Sequence, residues 1–303
     1  MTVTNISELN DWLDAKTVVA LGSFDALHKG HVEVVLAAVE YARKNGLVSV
    51  VQLVDIPNRQ KINSSKKQYE ILEQLGVDVV LNQNFSESFR TTRYDEFISE
   101  YIAKKYNATA VFVGENYRFG YMAEGDTDSL VEGCKALGIC AFVKKCLKLD
   151  KIISSTEIRK FITDGEMERA IEYMGRPFAL LGKVIHGKAL GRTLGFPTAN
   201  IDIPKGFVVP KQGVYATKIK VCNKNYEGIT NVGTRPTLGE EMPNIESFIM
   251  NFDGDLYGKD IEVEFYKRLR DIREFESLED LKGQLEKDKN SACEYFMIRK
   301  VCN

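Results

Sequence analysis

The sequence of 303 residues predicts an α/β domain with a parallel sheet, followed by a small antiparallel β-barrel that a final helix closes. Three observations lead to this prediction. The length exceeds that of one average domain. Strand and helix patterns alternate through the first half, which indicates crossover connections between parallel strands. After Pro177, short strand-like runs separated by glycine, proline and asparagine replace the helical patterns, as in small barrels.

The first half contains a series of apolar runs that predict buried strands. These strands are 17–21, 47–54, 77–81, 108–114 and 139–146. Helical spacing of apolar residues predicts the segments between them. These helices run from near Gly30 to Gly46 and over 66–76, 94–106 and about 127–137, followed by short helices at 155–165 and 167–175. Parallel sheets of this kind bind ligands at the carboxyl ends of their strands.

The second half contains further predicted strands and one long helix. The strands are 178–185, 213–221, 226–233, 245–252 and 259–266, and the helix is 277–297. The pattern changes near 165–177. We therefore assign residues 1–170 to the first domain and 171–303 to the second.

Composition argues against several classes of protein. The formal net charge is −2, so nothing indicates non-specific binding to nucleic acid or to an anionic membrane. No run approaches the ~18 apolar residues that a membrane helix needs. The N-terminal segment lacks the apolar core of a signal peptide. We therefore expect a cytoplasmic protein.

The six cysteines are expected to be reduced thiols, since none forms a C-x-x-C pair and no export signal is seen. A zinc site formed by Cys134, Cys140 and Cys146 is the alternative. Gaps of five residues between these cysteines do not fit the common zinc spacings.

The segment "GSFDALHKGH" (22–31) joins the first predicted strand to the first helix and holds two of the three histidines of the chain. Its candidate binding residues are Gly22, Ser23, Phe24, Asp25, His28, Gly30 and His31. The N–H groups and positive dipole end of the helix favour phosphate binding, and imidazoles can donate hydrogen bonds to phosphate oxygens. The alternatives are ordinary turn residues or a metal site, although two histidines are too few for zinc.

Two further segments carry residues suited to a nucleotide. "GENYRFG" (114–120) leaves the end of a strand and contains Asn116. "ISSTEIR" (153–159) begins a helix, and its candidate residues are Ser154, Ser155, Thr156 and Arg159. Hydroxyls together with helix N–H groups can hold an anion, and a guanidinium can grip phosphate oxygens. A helix N-cap alone is the alternative for this second segment.

The third histidine lies in the glycine-rich segment 182–204, which is predicted to be a loop. The candidate nucleotide-binding residues here are Gly182, Lys183, His186, Gly187, Gly191, Pro197, Thr198 and Asn200, with Asn231 and Arg235 in the turn-rich segment 231–239. The hydroxyl of Thr198 and the amide oxygen of Asn200 suit Mg²⁺ that is shared with nucleotide phosphates. Glu246, facing a barrel interior, could accept a proton from a substrate hydroxyl, and a solvated strand residue is the alternative.

Taken together, these motifs resemble the bacterial bifunctional riboflavin kinase/FMN adenylyltransferase family, also called FAD synthetase. The resemblance covers about residues 17–297. Its kinase motifs appear in the order of the family as "GKVIHGKALGRTLGFPTANI", "GVYA", "NVGTRPT", "DLYG" and "LEDLKGQLEKD". The resemblance implies a Rossmann-like nucleotidyltransferase domain followed by a kinase barrel.

The resemblance also implies two reactions. The barrel would phosphorylate riboflavin with ATP and Mg²⁺ to give FMN, and the first domain would transfer AMP from ATP to FMN to give FAD and pyrophosphate. The catalytic residues would be His28, His31, Arg159 and Glu246, and the metal contacts would be Thr198 and Asn200. The expected partners are small molecules, namely riboflavin, FMN and ATP, without nucleic acid or a membrane. We expect a monomer or a weak homo-oligomer.

Two departures from the family pattern leave alternatives open. The stretch "LVDIPN" (53–58) has one proline and no aromatic residue, where the family has an aromatic residue and a pair of prolines near the flavin. Phe248 stands where the kinase motif has a histidine, two residues after the glutamate. The alternatives are a riboflavin kinase with a weak or repurposed first domain, and a flavin-binding regulator without turnover.

Overall fold

The computed structural model describes residues 1–5, 15–186, 195–222, 224–237 and 240–301. The chain forms two compact units. The first unit consists of Met1–Arg59 and Ser65–Ser155, and the second of Gln60–Ser64 and Thr156–Asn303. The boundary between the functional domains at residue 170 stays a prediction.

The first unit is built on a six-stranded parallel sheet, which confirms the predicted α/β class. The strands are β1 (Thr2–Asn5), β2 (Thr17–Leu21), β3 (Val48–Asp55), β4 (Val79–Asn84), β5 (Ala108–Gly114) and β6 (Cys140–Lys144). Their order across the sheet is β1-β4-β3-β2-β5-β6, and every pair is parallel. The edge strand β1 was not predicted, since its four residues are too short to show a pattern.

Helices cover both faces of this sheet. They are α1 (Lys29–Asn45), α2 (Ser65–Gln74), α3 (Glu87–Arg90), α4 (Tyr94–Glu96), a π-helix that continues α4 (Phe97–Lys105), and α5 (Thr127–Ala136). Val18 and Ala20 of β2 pack in the apolar cluster that contains α1. Val19 and Leu21 belong to a second cluster, which contains the π-helix. The alternation of β2 side chains therefore fills two cores, as a sheet buried on both faces requires.

Strand β4 begins two residues later than predicted, after Asp78. The Asp78 carboxylate accepts hydrogen bonds from the backbone N–H and the hydroxyl of Ser49, at 2.9 and 2.6 Å. The Asp78 N–H donates in turn to the Ser49 hydroxyl at 3.0 Å. These side-chain bonds take the place of ladder bonds next to β3, so regular pairing starts only at Val79.

The second unit is a closed antiparallel barrel with a final helix, which confirms the predicted architecture. The strands are β7 (Phe178–Ile185), β8 (Thr198–Asp202), β9 (Gly213–Val221), β10 (Lys224–Thr237), β11 (Glu240–Ile249) and β12 (Asp260–Arg270). They close in the order β10-β11-β8-β7-β12-β9. The helices α6 (Ser155–Asp164) and α7 (Met167–Met174) precede the barrel, and α8 (Leu278–Val301) follows it.

Two predicted loop segments are strands in the barrel. The predicted strand 178–185 coincides with β7, which overlaps the start of the predicted loop at 182–204. The loop prediction is wrong over 198–202, which form β8 and pair with β7 and β11. The predicted strand 226–233 lies within β10. The prediction that 231–239 is turn-rich is wrong over 234–237, since β10 pairs with β11 as far as Thr237. Pairing with neighbouring strands overrides the glycine and proline signals here.

The two faces of each barrel strand carry different side chains. Ile245 and Ser247 of β11 are 0% exposed, whereas Glu246 between them is half-buried. Inside the barrel, Thr217, Thr230 and Ser247 form a hydroxyl ladder, with oxygen–oxygen distances of 2.8 Å at both steps. Because side chains alternate along a strand, Glu246 lies on the outer face of the barrel. The expectation that Glu246 faces the interior is therefore wrong.

Within the described ranges, no helix combines the length and the apolar character needed to cross a membrane. Cys134, Cys140, Cys146, Cys222 and Cys293 are free thiols, while Cys302 lies outside the described residues. Burial raises the pKa of the Cys134 thiol to about 12, so this thiol stays protonated at neutral pH. No group of three or more His, Cys, Asp or Glu residues in the described part of the chain is arranged to hold a metal ion.

Gly182 lies within β7, where the neighbouring strand β8 approaches closely. A Cβ at this position would lie 2.5 Å from the carbonyl oxygen of Asp202 and 2.6 Å from Cγ2 of Ile201. The approach of β7 and β8 therefore requires a residue without a side chain.

We expect Gly182→Ala to lower the free energy of unfolding of the barrel by about 2 kcal/mol or more, because the added methyl group overpacks the interface of β7 and β8. The matched control is Gly283→Ala in α8, where a Cβ would meet no atom within 4 Å. Alanine there should raise the free energy of unfolding by about 0.5–1 kcal/mol. Urea unfolding of the two variants measures both changes, and equal changes would contradict the packing argument.

Candidate active sites

The first candidate site lies at the carboxyl edge of the parallel sheet, where β2 and β5 end side by side. The pairing of Ala20 with Phe112 puts Gly22 and Gly114, each two residues further on, level at this edge. The chain leaves β2 towards β3 on one side and later returns to β5 on the other. This reversal of strand order opens the crevice in which α/β sheets bind ligands. The two predicted motifs that begin at Gly22 and Gly114 thus share one edge.

The loop after β2 is a tight turn fixed by its own apolar side chains. Phe24 and Leu27 have positive φ values, 44° and 43°, and their side chains are 1% and 0% exposed. A Cβ on Gly22 would lie 3.1 Å from the Phe24 ring, so this ring packs directly on the glycine. The side-chain amide of Gln68 donates to the Phe24 carbonyl at 3.2 Å. Burial of Phe24 and Leu27 offsets the cost of the left-handed backbone and fixes the loop.

His28 is the N-cap of α1 as well as a candidate ligand contact. Its Nδ1 accepts a hydrogen bond from the backbone N–H of His31 at 3.2 Å, and its side chain is 6% exposed. The rings of His28 and His31 stack with centroids 3.6 Å apart, and Phe24 meets His31 edge-on at 5.2 Å. Since Nδ1 is an acceptor, the neutral His28 ring carries its proton on Nε2. Nε2 is therefore the atom of His28 that can donate to a phosphate oxygen.

The helix end beside these rings is suited to an anion. α1 begins at Lys29, one residue earlier than predicted, and has no acidic residue in its first turn. The His28 ring lies beside Gly30, since a Cβ at this position would be in ordinary contact with the ring atoms at 3.4 Å. N–H groups at a helix start, with a positive dipole and no acidic residue in the first turn, favour a phosphate group.

A cavity of about 400 Å³ opens at the same edge of the sheet. Gly22 and Ser23 form part of its wall, next to Val54 and Ile56 of the stretch without aromatic residues. Six aromatic residues from elsewhere in the unit also line it: Phe85, Phe89, Phe97, Tyr117, Phe119 and Tyr121. Arg90 and Arg118 add two guanidinium groups. Arg90 pairs with Glu87, and Arg118 lies 3.5 Å from Asp126. The cavity combines flat apolar walls with two guanidinium groups, which suits a planar phosphorylated ligand that competes with these carboxylates.

The loop at the mouth of this cavity is closed as a short hairpin. Phe119 and Gly125 exchange backbone hydrogen bonds at 3.1 and 2.9 Å, and the Tyr121 N–H donates to Thr92 at 2.7 Å. A Cβ on Gly120 would lie 2.8 Å from the Tyr94 nitrogen, so the loop packs on α4. Met122, at its tip, is 80% exposed. This hairpin holds the segment that contains Arg118 at the edge of the cavity.

Sequence reasoning missed much of this cavity. Arg90, Tyr121 and Met122 were not singled out, because their position beside Gly22 depends on tertiary packing. One available signal was the polar and aromatic segment after β4, since this strand also ends at the carboxyl edge of the sheet. Asn116 is exposed on the segment after β5, with its Oδ1 3.2 Å from the position of a Cβ on Gly114.

The third predicted phosphate motif begins α6. Ser155 is 7% exposed at the first turn of this helix, and Ser154 precedes it. Thr156 and Arg159 fall in the second unit, where Nε and Nη2 of Arg159 donate to the Gln60 carbonyl at 3.3 and 3.2 Å. A contact between these residues and a nucleotide stays a prediction.

The second candidate site lies on the outer face of the barrel. The register of three neighbouring strands places Asn200, Glu246 and Asn231 directly opposite one another. Thr198 lies opposite Phe248 on the same face, two residues from Asn200. The strand pairing therefore brings Thr198, Asn200 and Glu246 together, as the sequence analysis predicted for one site.

Glu246 is supported by a neighbour on its own strand. The side-chain amide of Asn244 donates to Oε1 of Glu246 at 3.0 Å. Asn200 is 5% exposed and Glu246 is half-buried, so the row lies partly out of water. A hydroxyl oxygen and an amide oxygen on one face are ligands that Mg²⁺ accepts, usually together with phosphates and water. The residues present thus fit a magnesium ion held jointly with a nucleotide.

A cavity of about 600 Å³ adjoins this row. Of the site residues, only Thr198 lines it; its other lining residues include Pro197, Asp253, Asp255 and Tyr257. Sequence analysis did not name either aspartate as a site residue, although Asp255 begins the motif "DLYG" and Asp253 lies two residues before it.

The turn that contains Tyr257 is held against β7. The ring of His186 stacks on Tyr257 with centroids 3.8 Å apart. The Gly258 N–H donates to the Val184 carbonyl at 2.9 Å. His186 therefore positions one wall of the second cavity.

Other predicted residues of this region have different surroundings. Gly182 is enclosed within β7, and Lys183 is exposed with Asp202 and Asp260 opposite it on the two neighbouring strands. Gly187 and Gly191, and the side chain of Arg235, lie outside the described residues. Nucleotide contacts at all these positions stay predictions.

Two family models match the chain, one in each half. The model described as FAD synthetase matches residues 11–157, and the model described as riboflavin kinase matches residues 174–296. The first match contains the histidine pair and Asn116, and the second contains Thr198, Asn200 and Glu246.

Curated relatives named bifunctional riboflavin kinase/FMN adenylyltransferase match nearly the whole chain. The protein of Bacillus subtilis (strain 168) is 35% identical over 295 residues and covers 93% of each chain. That of Listeria monocytogenes is 32% identical and covers 95% of each chain. That of Escherichia coli (strain K12) is 32% identical and covers 93% of this chain and 94% of its own.

A solved structure has the same fold over both units. A crystal structure described as a macrolide-efflux protein from Streptococcus pneumoniae matches with a TM-score of 0.89 and 30% sequence identity. The match covers 96% of this chain and 99% of that chain.

We expect His28→Ala to lower the free energy of unfolding of the first unit by about 1 kcal/mol, because it removes the side-chain acceptor at the start of α1. His28→Asn should leave this free energy nearly unchanged, since asparagine is a good N-cap residue. Urea unfolding of both variants, followed by circular dichroism, measures the difference. Equal destabilisation by Ala and Asn would contradict the capping role.

Proposed function

Because the chain belongs to the bifunctional riboflavin kinase/FMN adenylyltransferase family, we propose that the two candidate sites each carry one of its two reactions. The protein phosphorylates riboflavin with ATP to give FMN, and it transfers AMP from a second ATP to FMN to give FAD and pyrophosphate. The observation that supports this division is the separation of the matches: each family model covers one half of the chain, and each half has its own cavity.

We assign phosphorylation to the barrel, with Glu246 as the general base. Its carboxylate would accept the proton of the riboflavin 5′-hydroxyl while that oxygen attacks the γ-phosphorus of ATP and ADP leaves. The Asn244 amide holds the carboxylate from one side through its bond to Oε1. Asn200 and Asn231, opposite Glu246 in register, are placed to orient the reacting groups. Phe248, opposite Thr198, cannot replace the histidine of the family motif as a proton carrier, so the carboxylate acts without it.

We assign Mg²⁺ binding to Thr198 and Asn200. Their side chains lie on the same strand face, beside the cavity that would receive the ATP phosphates. Bound there, the ion would neutralise part of the phosphate charge. The stacked pair of His186 and Tyr257 would bound the same cavity.

We assign adenylyl transfer to the first site. An oxygen of the FMN phosphate would attack the α-phosphorus of ATP, and the bond to pyrophosphate would break. Donors from Nε2 of His28, from His31 and from the N–H groups of α1 would stabilise the negative charge that develops on the phosphate oxygens. The reaction needs no nucleophile from the protein, so positioning and charge supply the catalysis.

We place FMN in the aromatic cavity beside Gly22. Its isoalloxazine ring would lie among the aromatic side chains from Phe85 to Tyr121, and Arg90 or Arg118 would face its phosphate. The stretch 53–58 lacks an aromatic residue, but Val54 and Ile56 still supply an apolar wall. The surrounding rings favour the two-activity enzyme over a riboflavin kinase with a weak or repurposed first domain. We also propose that the protein works in the cytoplasm on small molecules alone, as a monomer or a weak homo-oligomer.

We expect His28→Asn to reduce FAD formation from FMN and ATP by about 100-fold or more, because it removes a preorganised donor while it keeps the helix cap. Formation of FMN from riboflavin in the same protein is the internal control and should be unchanged. Arg118→Gln should instead raise the KM for FMN by about tenfold. Product separation after incubation with ATP and Mg²⁺, with riboflavin in one series and varied concentrations of FMN in the other, measures these effects. Loss of both products in His28→Asn would refute the separation of the two sites.

We expect Glu246→Gln to reduce riboflavin phosphorylation by about 100-fold or more, because an amide cannot accept the proton of the hydroxyl. Glutamine can still accept the Asn244 hydrogen bond, so the fold is kept. FMN supplied directly should still be converted to FAD. Glu264→Gln, also on the outer face of the barrel, is the matched control and should keep full kinase activity. Normal phosphorylation by Glu246→Gln would place the base elsewhere.

A further inference from the structure

A third cavity, of about 410 Å³, lies on the outer face of the barrel and shares no lining residue with the cavity beside Thr198. It is bounded by the turn after α7, by β9 and β12, and by the last part of α8. Three of its lining side chains are cationic and two are aromatic: Arg176, Lys218, Arg299, Tyr266 and Phe296. No residue assigned above to either reaction lies here.

Lys218 is held over aromatic rings. Its Nζ lies 5.2 Å from the centre of the Tyr266 ring and 5.4 Å from that of Phe296. The two neighbouring strands place Glu227 and Glu264 opposite Lys218. Even so, no carboxylate oxygen of the described residues forms an ion pair with Lys218 at 4.0 Å or less. The charge of Lys218 therefore meets ring faces rather than an opposite charge.

Glu264 is bonded elsewhere. Its Oε2 accepts a hydrogen bond from the Tyr266 hydroxyl at 2.9 Å. This bond fixes the Tyr266 ring, which forms a wall of the cavity. It also engages the Glu264 carboxylate with Tyr266 instead of with Lys218.

Arg299 and Arg176 add to the positive charge of the cavity. Arg299 lies 5.2 Å from the centre of the Tyr266 ring, and its Nη1 donates to the Tyr295 hydroxyl at 2.7 Å. Among the described residues, Arg299 forms no ion pair with a carboxylate. Arg176 donates to the Met174 carbonyl at 3.4 Å. Burial lowers the pKa of the Arg176 guanidinium to about 10, so its charge is poorly solvated here.

Cations brought together beside aromatic rings repel one another unless an anion joins them. From this arrangement we propose that the cavity is a binding site for a phosphate-bearing small molecule with at least two negative charges. Guanidinium and ammonium groups that converge from several elements are the usual partners of phosphate oxygens. The volume admits a small phosphate compound, and Tyr266 and Phe296 offer contact to a ring attached to it. This site is separate from both proposed reactions.

The test is calorimetric titration of the full-length protein without added Mg²⁺, with inorganic pyrophosphate in one series and FMN in the other. Wild type should show a binding component that Lys218→Met weakens about tenfold or more, since one charged contact is lost. Methionine keeps the apolar stem over the rings. Lys220→Met is the matched control: it removes the same charge two residues along β9, on the same face, from a lysine that does not line the cavity. It should titrate like wild type.

The outcomes distinguish the two classes of ligand, and they distinguish ligand binding by Lys218 from a purely structural role of this residue. Weakening with pyrophosphate alone supports a site for free polyphosphate, and weakening with FMN alone supports a site for a phosphate ester with a ring. If Lys218→Met titrates like wild type in both series, the proposal is overturned, even if the thermal midpoint falls. Arg299→Gln provides a second variant should Lys218→Met fail to fold. Unchanged rates of FMN and FAD formation in either variant exclude a loss at the two catalytic sites.

Discussion

The hydrogen-bond register between neighbouring strands fixes both candidate active sites. In the barrel, the pairing of β8, β11 and β10 sets Asn200, Glu246 and Asn231 in one row on the outer face. A slip of β11 by one residue would turn Glu246 inward and Ser247 outward. The interior opposes this slip, because it would bury a carboxylate and break the hydroxyl bond to Thr230. The stability of the barrel core thus maintains the position of the proposed base.

The regular parts of the fold could be predicted from sequence because local patterns there agree with tertiary packing. The apolar runs at 17–21 and 108–114 are strands buried on both faces, and these coincide with β2 and β5. β8 and the end of β10 could not be found in this way. β8 has only five residues, and the end of β10 contains a glycine and a proline. Pairing with neighbouring strands, rather than a local pattern, makes both segments strands.

The candidate sites could be predicted as sets of residues but not as geometry. The order of His28, Gly30 and His31 between a strand and a helix predicts a phosphate site, and this site stays a prediction. That Nδ1 of His28 caps the helix follows only from the fold of the loop, in which Phe24 and Leu27 adopt left-handed backbone angles. The rings around the first cavity come from segments far apart in sequence, so no local motif could reveal them.

The ladder of Thr217, Thr230 and Ser247 has a consequence for motion inside the barrel. Each hydroxyl has a single hydrogen, so Thr230 can donate to only one of its two neighbours. Therefore Thr217 or Ser247 must donate a hydrogen bond to Thr230. The three rotors are therefore coupled: a turn of one obliges another to turn. The three hydroxyls inside the barrel therefore lose rotational entropy together. Only a few combinations of their hydrogen orientations are allowed.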